Sequence, residues 1–165
     1  VNMRDIKFKE GDDLFNYRVA AIIENKGKYL FQIMPGDECF TLVGGRVRFM
    51  ETSRDALIRE VLEETGYDIS SAEIKLSLIA ENFFDYKDKN EVVHNVQTLL
   101  FVYKVNINED VIKEKSFVMK DKDDTTLNWV SYDEAKKAEI LPETAKRILD
   151  DDRLKYELIN DRQFS

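Results

Sequence analysis

The sequence predicts an α/β sandwich built around a mixed β-sheet. Two long β segments, Ile74–Tyr86 and Val92–Val105, joined by a polar turn at residues 87–91, supply the centre of such a sheet. Hairpin signals stand beside a strand–helix–strand unit, a mixture that puts helices on the faces of a sheet rather than into a bundle. Hydrophobic residues make up 43% of the 165, with ten Phe, seven Tyr and one Trp, enough for a real core in a chain the size of one domain.

The elements follow in order. Residues 1–16 read as a polar leader to a single domain spanning 1–165. Tyr17–Glu24 is a strand, Asn25-Lys26-Gly27 a turn, and Lys28–Met34 its hairpin partner. Pro35-Gly36-Asp37 is a second turn. Phe40–Val43 is a short strand running into Gly44-Gly45, and Arg46–Phe49 alternates charged and apolar residues as a strand does. A helix covers Ser53–Thr65, with Thr52 or Ser53 to cap its start and Gly66 where a left-handed residue ends a helix. After the two long strands, residues 106–126 are charged and loop-like, and Leu127–Ser131 is a last strand anchored by Trp129. Ser131–Lys136 and Pro142–Leu149 read as C-terminal helices, with residues 152–160 extending them.

Charge and composition remove several classes of function. The net charge is −8, from 33 acidic and 25 basic residues, which disfavours a long nucleic-acid track or an anionic membrane as partner. A phosphorylated substrate stays compatible if a metal ion screens the two negative partners. The single Cys39 excludes an intrachain disulfide and a cysteine zinc site, and the single His94 cannot build a histidine one. The first residues are charged and no apolar run reaches membrane-spanning length, so the reading is a soluble cytoplasmic protein without a signal peptide.

The chemistry concentrates on the helix. With Glu60 set at zero and about 100° per residue, Glu64 falls about 40° to one side and Glu63 about 60° to the other. Three carboxylates thus share a face, while Leu57, Ile58, Val61 and Leu62 cluster on a different, apolar one. Like charges at this spacing repel, and Glu64 borders the apolar side, where an unpaired carboxylate needs a proton, an arginine or a metal. Oxygen ligands select a hard cation such as Mg²⁺ or Mn²⁺. Gly44-Gly45 allows close backbone approach, so a carbonyl there can add a ligand. Arg59 and Glu51 are matched for a fork that fixes the preceding loop against the helix.

Residues 45–67, GRVRFMETSRDALIREVLEETGY, specify seven positions: Gly45, Glu51, Arg59, Glu60, Glu63, Glu64 and Gly66. At a background of roughly 5–10% each, chance gives on the order of 10⁻⁸ per window. This stretch resembles the box of the Nudix hydrolase family: Gly, five residues, Glu, seven residues, Arg-Glu, an aliphatic, any residue, Glu-Glu, any residue, Gly, an aliphatic. Tyr67 departs from it by being aromatic; Val43 and Met50 stand where Pro and Gly are frequent, which bears on loop shape and not on ligands.

The resemblance implies an α/β/α sandwich and divalent-metal-dependent hydrolysis of a nucleoside diphosphate linked to another group, by attack of water at phosphorus. It implies that Glu60, Glu63 and Glu64, with the Gly44 carbonyl, hold Mg²⁺ or Mn²⁺, and that Arg59 and Glu51 orient them. The general base is a box glutamate, Glu60 or Glu64, or a carboxylate in the later loop, where Asp123 leads Asp121, Asp124 and Glu109. Arg46 and Arg48 suit phosphate, a pairing with Glu51, or plain solvation. The cluster Phe83, Phe84 and Tyr86 suits stacking on a nucleobase, core packing, or a homodimer contact. The expected partner is a small nucleotide-containing substrate: a sugar nucleotide, a dinucleotide or a modified nucleoside triphosphate. The alternatives are a non-catalytic nucleotide-binding sensor on the same fold and processing of RNA 5′ ends.

Overall fold

The computed structural model describes residues 4–36 and 38–164, so the start of the leader and Asp37 of the second turn lie outside the described residues. The strands are β1 (Lys7–Glu10), β2 (Asp13–Asn25), β3 (Lys28–Ile33), β4 (Phe40–Thr41), β5 (Val43–Arg46), β6 (Glu73–Lys87), β7 (Val93–Ile107), β8 (Ser116–Val118), β9 (Thr126–Ser131), β10 (Ile140–Leu141) and β11 (Lys155–Asp161). The helices are α1 (Ser53–Thr65), α2 (Tyr132–Lys137) and α3 (Thr144–Ile148).

Strand β2 organises the sheet. On one edge all thirteen of its residues run parallel to β7. On the other it meets β1 at residues 13–16, β5 at 18–21 and β3 at 23–25, each antiparallel. The main path runs β10-β4-β3-β2-β7-β6-β11, and β9 joins β3 from outside it. Alternation along β2 divides the core: Val19, Ala21 and Ile23 join Ala56, Leu57 and Val61 of α1, while Ala20 and Ile22 join Ala135 of α2 and Ala145 and Ile148 of α3. Side chains of period two thus pack helices on both faces, and the architecture is an α/β/α sandwich with a mixed sheet.

Three sequence expectations change. Residues 7–16, read as leader, form the β1–β2 hairpin, and Asp13–Asn16 already pair with β7. Residues 152–160, read as helix, contain most of β11, which lies parallel to β6; the open edge of β6 outweighs the helix preference of the Lys and Glu in that run. The loop-like stretch 106–126 holds the short strand β8 against β9.

Candidate active site

Helix α1 begins where Thr52 Oγ1 accepts the Asp55 amide at 3.1 Å, and it ends at Gly66, whose φ is +81°. Its buried stripe is Ala56, Leu57, Val61, Glu64 and Thr65. Leu62, expected on the apolar face, is 47% exposed, because the stripe pressed against the sheet is centred further round, towards the glutamates.

Arg59 ties the preceding loop to the helix. Its Nε and Nη2 donate to the two Glu51 oxygens at 2.8 and 2.9 Å, Nη1 donates to Glu60 Oε1 at 2.7 Å, and Nη2 also reaches the Arg46 carbonyl at 3.0 Å. Glu63 Oε2 stands 3.5 Å from the same guanidinium. Glu51 accepts the Arg48 amide as well, at 3.0 Å. The Arg59 bonds pull the Glu51 carboxyl below its usual range, and those same bonds push the arginine up. In the loop between them Met50 has a φ of +67°, a left-handed conformation that favours glycine.

Glu60 and Glu64 face the strand edge. The Glu60 carboxyl occupies the volume a Gly45 side chain would fill, so a larger residue there would push that carboxyl aside. Glu64 is 5% exposed, and its Oε2 has no hydrogen-bond partner. Burial, then the charges of Glu60 and Asp121, push its carboxyl up to about 8, against opposing help from Lys122 and the Gly44 amide. Residues of an antiparallel strand turn their N–H and C=O to the same side, so the Gly44 carbonyl faces α1 together with that amide.

These groups fit a divalent cation. A buried carboxylate oxygen without a partner, beside a second carboxylate held in a glycine cradle and a strand carbonyl, is an all-oxygen donor set short of positive charge. Among the described residues no three acidic, histidine or cysteine side chains already converge around one point. Glu60 is turned to Arg59, and the Glu63 side chain is 42% exposed.

The later loop approaches α1 through the Lys120 amide, which donates to the Glu64 carbonyl at 2.9 Å, while the Lys120 side chain lies over Gly66. Asp121, Asp123 and Asp124 are all exposed; the charge of Asp121 raises Glu64, and Asp124 accepts from Thr125 Oγ1 at 3.1 Å. Glu109 offers its backbone carbonyl to Asn25 at 2.6 Å.

A cleft of about 380 Å³ opens beside this edge, on the part of the α2–α3 face that those helices leave uncovered. Register sets its rows: Arg18 opposite Arg46, then Asn16, Thr98 and Asn82, then Leu14, Val96 and Phe84. Burial and the neighbouring Arg46 lower the Arg18 pKa, with Glu60 and Glu64 opposing, and Arg46 Nε is buried without a partner. Two guanidiniums side by side, short of acceptors, suit an anion. Arg18 escaped the sequence reading; its one signal is a lone cation in the apolar run Tyr17–Ile23. Arg48, grouped with Arg46 from sequence, lies in another cleft, with its Nε 3.9 Å from Asp5. Phe84 and Tyr86 line the cationic cleft, and alternation turns Phe83 away from it. His94 stacks on Tyr86 at 5.0 Å and pairs with Asp88 at 2.8 Å.

A carboxylate helix beside a cationic cleft, on an α/β/α sandwich, defines a phosphate-handling hydrolase. A sequence model of the NUDIX domain matches residues 15–151, most of the chain, and the chain belongs to the Nudix family. Its members are generally pyrophosphohydrolases that act on small nucleotide substrates and need divalent metal ions, and this chain is a hydrolase acting on phosphoric anhydride bonds.

Solved structures agree on the fold. A mutator MutT protein from Bacillus halodurans superposes with a TM-score of 0.67 at 20% identity, over 88% of this chain and 89% of that one. A NUDIX hydrolase from Nitrosomonas europaea gives 0.53 at 18% identity, covering 90% and 79%. A MutT protein from Methanosarcina mazei Go1 gives 0.51 at 20%, covering 81% and 88%. No curated protein sequence matches the chain. Among the described residues no helix is long and apolar enough to cross a membrane.

Proposed function

We propose that the chain is a divalent-metal-dependent pyrophosphohydrolase that cleaves a nucleoside diphosphate linked to another group, by water attack at phosphorus. The observation that carries this reading is the unpartnered Glu64 oxygen, at a strand edge shared with Glu60 and flanked by the Arg18–Arg46 pair. Glu60, Glu63 and Glu64, with the Gly44 carbonyl, would hold Mg²⁺ or Mn²⁺. Such a cation neutralises phosphate oxygens and lowers the pKa of a bound water.

The remaining work falls to this chain's own groups. Arg18 and Arg46 bind phosphate oxygens and fix the anhydride against the helix. Arg59, gripped by Glu51, holds Glu60 in one orientation. Phe84 and Tyr86, two rows or more along the cleft, give a nucleobase a flat surface. The base is a box carboxylate, Glu60 or Glu64, or an acid of the later loop, Asp123 or Asp121. The substrate classes proposed are sugar nucleotides, dinucleotides and modified nucleoside triphosphates.

The test is a panel of those compounds with Mg²⁺ or Mn²⁺, scored by release of nucleoside monophosphate. Glu63→Gln should lower turnover on the order of 10²–10³-fold with the fold intact. Turnover untouched by that change would overturn the reading, and calorimetric binding with no turnover under either metal would point to a sensor instead.

A further inference from the structure

Strand β11 ends the main path of the sheet. Its seven residues pair with β6 on one side, and no described strand lies on the other. Open edges usually carry a safeguard: brevity, outward charge, proline or a bulge. The other edges have one. Strand β10 has two residues, β8 has three, and β1 exposes Lys7, Lys9 and Glu10. Strand β11 contains no proline, glycine or bulge; its charged Lys155, Glu157 and Asp161 lie on one face, and the other face shows Tyr156 at 63% and Leu158 at 58% exposure, with Leu154 at 55% just before it. An edge this long, with an apolar stripe on its outer face, is a template for another strand.

We propose that the occupant is a second copy of this chain, joined β11 to β11 in antiparallel register about a two-fold axis through Leu158. Directly opposed residues of an antiparallel pair share a face, so a two-fold axis normal to the sheet passes through a residue. Placed at Glu157, it sets that carboxylate against itself and pairs five of the seven residues. Placed at Ile159, it sets Glu157 against Asp161 and again pairs five. Like charges directly opposed destabilise a pair.

Placed at Leu158, the axis pairs all seven residues and puts Lys155 opposite Asp161 at both ends. Tyr156 then faces Asn160, and the two Leu158 side chains meet on the apolar stripe. The charges are available for this. Asp161 has no ion pair among the described residues, and Lys155, 2.6 Å from Asp151, can serve a second acid. Glu157 is held on the opposite face by Arg147 and Thr144 and stays clear of the stripe.

Sedimentation equilibrium of the whole chain should show a mass near twice 19.4 kDa that dissociates on dilution. Lys155→Glu places two acids together at each end and should weaken the association about tenfold. Adding Asp161→Lys to that variant restores opposite charges and should restore the dimer. In a Cys39→Ser background, Leu158→Cys should oxidise to a cross-linked dimer, because opposed Cα atoms stand about 4.5–5.5 Å apart, within disulfide reach. Leu154→Cys, displaced from its copy by roughly 27 Å along the seam, should not. A wild-type chain that stays monomeric at every soluble concentration, or a dimer indifferent to the charge reversal, overturns the proposal.

Discussion

The middle and the last turn of the same helix are built to opposite rules. Around Arg59 every strong donor has an acceptor: both Glu51 oxygens, Glu60 and a backbone carbonyl. One turn further on, Glu64 is buried with an oxygen that has no partner and a carboxyl raised to about 8. Both are carboxylate sites at the rim of one core. The first is saturated and fixes geometry; the second is left short of positive charge, the shortfall that the proposed cation would relieve.

The largest effect expected from this contrast is on stability against pH. Glu64 keeps its proton in the folded chain up to about pH 8 but loses it near the ordinary 4.5 when unfolded. Between those values the folded state binds the extra proton, so this contribution is full below about pH 4.5, declines as pH rises, and is gone above about pH 8. The loss is on the order of 5 kcal/mol in metal-free protein. Glu51 runs the other way: its carboxyl is depressed, so its contribution is present above 4.5 and disappears as pH falls through the folded value. Urea midpoints across this range in the presence of EDTA should therefore fall with rising pH, and Glu64→Gln should flatten the fall. Mg²⁺ should restore stability increasingly towards higher pH, because it competes with the proton.

Breaking the saturated site comes next. Arg59→Ala leaves Glu51 and Glu60 with unpaired charge in a mostly buried site, where their side chains are 11% and 14% exposed. The expected cost is about 3 kcal/mol. Glu51→Gln in the same chain should recover part of it, and a double-mutant cycle that proves additive would show that the fork is not a unit. A smaller effect separates the arginines. Arg18→Gln should raise KM about tenfold with the melting temperature nearly unchanged, while Arg48→Gln, in its separate cleft, should leave KM alone.

How much of this was legible in the sequence depended on range. The bounds of α1, its Thr52 cap and the left-handed Gly66 were readable because capping is local chemistry. The Arg59–Glu51 fork was readable from spacing across a single loop. What was hidden required a partner far along the chain. Residues 155–161 become a strand only because β6 offers them an edge. Arg18 becomes part of a cationic pair only when β5 folds back on β2. The charge of Asp121 reaches Glu64 because the backbone bond from Lys120 brings its loop against the helix. Even on α1, the exposure of Leu62 depends on which way the sheet meets the helix, and helical periodicity does not contain that.

The smallest effect tests whether the saturated site is free of strain. Met50 adopts a φ of +67° and is 85% exposed, so its side chain gains little from packing. The backbone is held there by what flanks it: the Glu51 amide bonds the Arg48 carbonyl at 3.1 Å while the Glu51 carboxylate is gripped by Arg59. A non-glycine residue in this region costs about 1–2 kcal/mol, against about 0.5–1 kcal/mol of extra chain entropy that glycine loses on folding. Met50→Gly should therefore stabilise the chain by about 0.5 kcal/mol, seen as a small rise in the urea midpoint at constant slope. In Arg59→Ala the loop can relax and the gain should vanish. A gain that persists without Arg59 would mean that the turn itself, and not the fork, imposes the left-handed residue.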